Sequence, residues 1–355
     1  MDSAAPKKVV SIQYLRALAA ILVVVQHANS GPIHLDIVRP DLATFGVDLF
    51  FVISGYIMWT TTAETLRTPR QFWMARIIRI VPLYWAFTSL YVAITLLHPA
   101  ALQNPSTDLV FIVKSYAFVP AVHPVAGNIS PIYSLGWTLN YEMFFYLIFG
   151  IALVVRCGAG RLVVVAAALG ALVLAGLEWH PANPILQTYS SELLLEFLSG
   201  TLIGAASERL ILWGARVAGP LLGVTILWLI AVHFGKLSGD DFVLIGLPAA
   251  LTVAGLVALE RSLRSRPRSW ALSIGDASYS LYLSHPFVVR ALYLALPTVA
   301  ATANPVIGIF CIAIASSAAI PFAIVIYRVI ERPMLAVLRN ATNYRTVSAT
   351  PQIVG

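Results

Sequence analysis

Apolar residues recur along the chain in ten long runs, at roughly 9–28, 43–62, 78–97, 132–155, 161–178, 190–206, 217–234, 243–259, 271–295 and 305–328. Each comes close to the ~20 mostly apolar residues that a helix needs to cross a bilayer. No polar domain lies between them. The pattern predicts an all-α, polytopic integral membrane protein with about ten transmembrane helices. Residues 9–333 read as a single transmembrane domain, preceded by a cytoplasmic N-terminus at 1–8 and followed by a polar cytoplasmic tail at 334–355.

Composition supports this reading. Of the 355 residues, 59% are hydrophobic and 11% are charged, against about 25% charged in an average soluble domain. The basic residues then orient the chain. With the N-terminus in the cytoplasm and the spans alternating, 18 of the 23 Lys and Arg residues fall in inner segments. The outer loops hold Arg39, Lys114 and Lys236, while Arg16 and Arg290 lie within spans. Such a split follows the excess of basic residues in cytoplasmic loops and predicts both termini inside. It also accounts for the net charge of +7. No basic stripe interleaved with aromatics points to nucleic acid. Cys157 and Cys311 have no metal-ligand or CxxC spacing, so neither a metal site nor a disulfide framework is expected. Ala17-Leu18-Ala19 imitates a signal cleavage site, but the apolar run continues through Val25, so the first span reads as uncleaved. Gly200-x-x-x-Gly204 and Gly219-x-x-x-Gly223 read as small-residue helix contacts. The long outer loop at 98–131 is placed to cap the outer face or touch a substrate.

Charged groups inside spans carry the chemistry, because each costs at least about 2.5 kcal/mol to insert and needs a reason to be there. Arg16 and His27 are eleven residues apart, about three turns plus 20°, so they share one helix face about 16 Å apart. A cation and a base on one face suit a reaction route, the neutral imidazole being the usual general base near neutral pH. An interfacial His27 with a snorkelling Arg16 is the plainer reading. Asp48, in Gly46-Val47-Asp48, enters the second span near the level of His27. Arg76 and Arg79, one helical turn apart, suit phosphate oxygens, although inner loops collect Arg in any case. Glu142 sits in the fourth span among Trp137, Tyr141 and Tyr146. Aromatic faces stack on sugars and a carboxylate accepts from their hydroxyls; an aromatic belt at the membrane interface is the alternative. Glu196 suits a structural pair with Arg16 or Arg290. Tyr279, Tyr282 and His285 precede a helix-kinking Pro286 and form a polar stripe in the ninth span. Glu331 reads as the partner of an inner Arg.

Taken in order, these segments are similar to the membrane acyltransferase-3 family over about residues 8–333. The resemblance rests on Arg16-x10-His27, Gly46-Val47-Asp48…Ser54-Gly55-Tyr56, Arg76-x-x-Arg79-x-x-Pro82, Trp137-Thr138-Leu139…Glu142…Phe145-Tyr146, Tyr279-Ser280-Leu281-Tyr282-Leu283-x-His285-Pro286 and Glu331-Arg332-Pro333. Within the family the chain most resembles the rhizobial exopolysaccharide O-acetyltransferases. It departs in carrying Tyr56 where many members have Phe. The resemblance implies a bacterial inner-membrane enzyme that takes acetyl-coenzyme A from the cytoplasm and acylates a carbohydrate at the outer face, lipid-linked or polymeric. It implies Arg16 and His27 as the essential pair and Glu142 as a site residue, and the position of Asp48 near the level of His27 adds it to the catalytic set. Arg76 and Arg79, with Arg16, become coenzyme A contacts, and Trp137, Tyr141, Tyr146, Tyr282 and His285 become the acceptor side.

Two routes follow from these roles. In one, His27 deprotonates the sugar hydroxyl for direct attack on the thioester. In the other, an acyl-His27 intermediate forms first. A transporter for lipid-linked saccharides or small anions is the rival from another class, disfavoured because no matching pair of broken helices divides the chain into two halves.

Overall fold

The computed structural model describes residues 9–30, 35, 44–63, 68–237, 239–295 and 305–342. The expected N-terminal segment at 1–8 and most of the polar tail lie outside these residues, as do Lys7, Lys8, Arg39, Arg67 and Arg345. The described chain is helical: α1 (Val10–Asn29), α2 (Phe45–Ala63), α3 (Pro69–Leu97), α4 (Leu109–Tyr116), α5 (Gly136–Ala152), α6 (Gly158–Trp179), α7 (Pro184–Tyr189), α8 (Leu194–Ala205), α9 (Ser207–Trp213), α10 (Ala215–His233), α11 (Leu247–Ala258), α12 (Glu260–Ser265), α13 (Ser269–Asp276), α14 (Ser278–Ala295), α15 (Pro305–Ile326) and α16 (Arg332–Ala341). Among the described residues, the helices long and apolar enough to cross a bilayer are α1, α2, α3, α6, α10 and the continuous stretch from α15 to α16.

The remaining apolar runs are shorter or broken. The run at 190–206 is interrupted after α7, where Ser191 accepts the Leu193 and Leu194 amides through its hydroxyl and carbonyl before α8 begins. The run at 271–295 is divided at Ala277, between α13 and α14. Conversely, α3 starts nine residues before its apolar run. Thr68 and Gln71 form a reciprocal capping box, with Pro69 in the first helical turn. Arg76 and Arg79 therefore lie within a continuous helix and not in a loop.

The described residues form two compact units, one within Met1–Thr65 and Ser199–Met334, the other within Leu66–Leu198 and Leu335–Arg345. In the first, α1 is the central helix. Ile12, Leu15 and Ala19 pack against α2 and α11. Ala17, Ala20 and Val24 pack against α13, α14 and α15. At 100° per residue, Arg16 and His27 fall on the seam between these two arcs. Exposed Leu18 and Val25 occupy the opposite arc, as a lipid-facing stripe requires.

Two glycines let neighbouring backbones close on α1. A Cβ at Gly46 would sit 2.7 Å from the Ala19 carbonyl oxygen, and one at Gly275 would overlap the Gln13 carbonyl. Gly200 and Gly204 abut Val52 and Trp59 of α2 in the same way, as their spacing predicts. Gly219 and Gly223 instead face open space. That pair lies on a helix whose exposed Val224, Ile226, Leu227 and Ile230 show an apolar outer surface, so small residues there serve no described contact.

In the second unit, α3 and α5 pack closely. The Trp73 indole donates to the Tyr146 carbonyl at 2.9 Å, and Tyr84 donates to the Ser115 carbonyl at 3.1 Å. Phe145 stacks on Phe197 with ring centroids 4.5 Å apart. The loop at 98–131 is ordered: it contains α4 and a tight turn in which Val122 pairs with Ile129.

Candidate active site

The sequence-derived candidates divide between the units. The first holds Arg16, His27, Asp48, Tyr282 and His285; the second holds Arg76, Arg79, Trp137, Tyr141, Glu142 and Tyr146.

His27 stands in the last turn of α1. Its Nδ1 lies 2.9 Å from the Val23 carbonyl oxygen, which can only accept. The proton therefore resides on Nδ1, and Nε2 carries the lone pair. His285 on α14 repeats the arrangement, with Nδ1 3.0 Å from the Leu281 carbonyl oxygen. The two rings meet edge to face, their centroids 4.9 Å apart. His285 is fully buried, and its Nε2 has no hydrogen-bond partner among the described residues. The structure thus sets two imidazoles side by side, each with its tautomer fixed by its own helix. Tyr282 is also buried, packed between Phe50 and His285 with centroids 6.1 and 6.3 Å away. His285 meets His27 directly, and Tyr282 packs on the His285 ring.

Several contacts hold α1 in place. The Val10 and Ser11 amides at its start have no cap from their own segment. They donate instead to Oε1 and Oε2 of buried Glu260, at 3.0 and 2.8 Å. A carboxylate at a helix N-terminus also meets the positive end of the helix dipole. At the other end the Tyr293 hydroxyl donates to the Ala28 carbonyl, next to His27. Asp48 is buried in the first turn of α2, two residues after Gly46, which packs on Ala19, Leu22 and Val23 of α1. Glu331 is fully buried and accepts from the Ser280 hydroxyl of α14.

In the second unit a chain of contacts runs from Arg76 to Glu142. The Arg76 guanidinium lies 5.7 Å from the Phe72 ring centroid and 5.9 Å from that of Tyr146. The Tyr146 hydroxyl in turn donates to Glu142. Tyr146 is buried against Phe72 and Phe145, so it positions Arg76 and Glu142 and is not a free sugar platform. Trp137 and Tyr141 differ. They meet edge to face at 5.9 Å, one turn apart on α5, and both line a half-open cavity of about 240 Å³ with Ile129, Asn140, Gln187 and Thr188. Glu196 is fully buried. Among the described residues, no group of three or more His, Cys, Asp and Glu is arranged to hold a metal ion.

Glu260, Tyr293 and Asn140 escape sequence reasoning. Glu260 reads as one more charge beside an inner basic loop, and Asn140 as a polar filler next to Glu142. Only the fold shows the first beneath α1 and the second on a cavity wall.

The acyltransferase-3 model, described as an acyltransferase domain, matches residues 9–327. The exopolysaccharide production protein ExoZ of Rhizobium meliloti is 35% identical over 298 residues, covering 82% of this chain and 89% of that protein. The peptidoglycan O-acetyltransferase OatA of Listeria monocytogenes is 33% identical over 158 residues, covering 40% of this chain and 24% of that protein. No solved structure matches the chain. A family match over nearly the whole length, on a helical chain with several bilayer-length helices, means that this protein belongs to the acyltransferase-3 family and is a multi-pass membrane acyltransferase.

Proposed function

We propose that the protein is an O-acetyltransferase of a bacterial plasma membrane that moves the acetyl group of cytoplasmic acetyl-coenzyme A onto a hydroxyl of an exopolysaccharide or other cell-surface saccharide. The observation that carries this reading is the His27 geometry. With Nδ1–H committed to the Val23 carbonyl, Nε2 is the one ring nitrogen able to take a proton. The relatives' names supply the acceptor class, exopolysaccharide in one and peptidoglycan O-acetylation in the other.

In the direct route, His27 Nε2 takes the proton of the acceptor hydroxyl as its oxygen attacks the thioester carbonyl. The tetrahedral intermediate collapses, the carbon–sulfur bond breaks and the electron pair leaves on the coenzyme A sulfur. The imidazolium then returns its proton to that thiolate. The edge-to-face contact with buried His285 supports the His27 ring in its orientation. Arg76 and Arg79 bind coenzyme A phosphates. Contact with two ring faces holds the Arg76 guanidinium in plane for bidentate bonding. Arg16, on the same α1 face as His27, provides a fixed cation along the donor arm.

The test is acetyl transfer by the purified protein in nanodiscs, from radiolabelled acetyl-coenzyme A to extracted cell-surface saccharide, comparing wild type with His27→Ala. Label on the saccharide with wild type alone, at equal folding, supports the reading. Equal labelling by both removes His27 from the mechanism, and substrate movement across vesicles without transfer would favour a transporter.

A further inference from the structure

The half-open cavity on the second unit has a composition that selects its occupant. Its lining residues come from three elements: Trp137, Asn140 and Tyr141 from the first turns of α5, Gln187 and Thr188 from α7, and Ile129 from the 98–131 loop. Two of these carry aromatic faces and two carry primary amides. Asn140 is 3% exposed, and its Oδ1 has no hydrogen-bond partner among the described residues. A buried amide oxygen left without a donor is costly, and sites that leave one open do so for a ligand or water to complete. The Thr188 hydroxyl donates to the Pro184 carbonyl at 2.8 Å, which leaves its oxygen able to accept. The Tyr141 hydroxyl is within bonding reach of Thr188 and Ser191, and Phe144 stacks on Tyr189 at 4.0 Å. These contacts lock α5 to α7, so the walls are preformed.

We propose that this cavity is the acceptor subsite and that it takes a neutral, hydroxyl-rich pyranose unit, excluding uronate and phosphorylated sugars. The inference rests on the acceptor being a saccharide, as proposed above. Trp137 and Tyr141 present apolar faces to the C–H face of the ring. The Asn140 and Gln187 amides each offer a donor and an acceptor, matching adjacent hydroxyls that do both. None of the six lining residues is basic. A carboxylate or phosphate drawn into the cavity would lose water and gain no cation in return. The volume of about 240 Å³ suits a single sugar ring with its chain continuing out through the open side.

The experiment uses the full-length wild-type protein in nanodiscs without acyl donor. It measures binding of cellotetraose and of tetragalacturonate by calorimetry, then repeats both with Asn140→Ala and Trp137→Ala. The expected result is cellotetraose binding, with tetragalacturonate at least about tenfold weaker and each variant lowering cellotetraose affinity about tenfold, the loss of roughly one hydrogen bond or ring contact. Asn140→Asp, which keeps the shape and adds a charge, should lower it at least as much. Equal or tighter binding of the uronate overturns the proposal. So do unchanged cellotetraose binding in both variants and failure of wild type to bind either sugar. Acetyl transfer is read in parallel. Transfer by a wild type whose cavity variants bind normally removes the subsite alone, whereas binding as expected without transfer removes the acetyl-donor reading alone.

Discussion

At His27 and His285 each imidazole is aimed by a carbonyl four residues earlier in its own helix, so the direction of the side chain follows from the helix itself. Around the Trp137–Asn140 cavity the walls come from α5, α7 and an ordered loop, and their positions depend on packing between elements well separated in sequence. In the first region His285 is fully buried and His27 partly so, and the aim of each ring is set by local geometry. The second is half open, and its selectivity is set by which side chains the fold brings together. A reacting group gains from a fixed tautomer, while a subsite gains from walls that can differ among relatives without disturbing the base.

The largest effect expected from breaking this contrast belongs to His27. His27→Ala should lower transfer by about 10² to 10⁴, the range for loss of a general base, with saccharide binding at the cavity unchanged by calorimetry. A parallel fall in binding would mean that the two regions are not separately built. Next comes Glu260→Ala, which leaves the Val10 and Ser11 amides without their acceptor and should cost about 1–3 kcal/mol. A lower unfolding midpoint in detergent would show it, and Glu260→Gln should recover part of the loss. A midpoint equal to wild type would remove Glu260 from the support of α1.

Arg76→Lys sharpens the donor side. It keeps the charge but loses the planar fork and the fit over Phe72 and Tyr146, so the KM for acetyl-coenzyme A should rise about tenfold with little change in kcat. Full function in the lysine variant would reduce Arg76 to a point charge.

The smallest effect is expected at His123, in the loop behind Ile129. Its Nδ1 accepts from the Val125 and Ala126 amides, both at 3.2 Å, and burial pushes its pKa below the ordinary value. The folded loop favours the neutral ring. Its stabilising share is therefore present above about pH 6.5, the unfolded imidazole value, and is lost as pH falls from there through the lower folded pKa. Cellotetraose affinity should weaken modestly over that window in wild type and lose this dependence in His123→Gln.

Much of this was legible in the sequence, for identifiable reasons. Arg16 and His27 share a face because eleven residues nearly close three turns, and the seam they occupy on α1 follows from the same arithmetic. Charged residues in apolar runs announce themselves by their cost. Apolar periodicity sets the start of α3 nine residues late, because its first turns and the Thr68–Gln71 capping box are polar. What periodicity does not carry is partnership across long separations. Tyr146 reads as another aromatic beside Glu142, and only packing against Phe72 makes it the link to Arg76. His285 reads as part of an acceptor stripe, and only the approach of α14 to α1 makes it the neighbour of His27.

The carboxylate beneath α1 also bears on how the chain is made. Helix α1 is made before the other described helices, yet the group that accepts its leading amides is Glu260, 250 residues later, and the notch that receives Gln13 is Gly275. Until those positions are synthesised and inserted, the first helix has neither its cap nor its closest neighbour. Arg16 and His27 thus reach their final setting late in biogenesis, and an N-terminal fragment ending before Glu260 would insert its first helix without fixing how that helix is set against its neighbours.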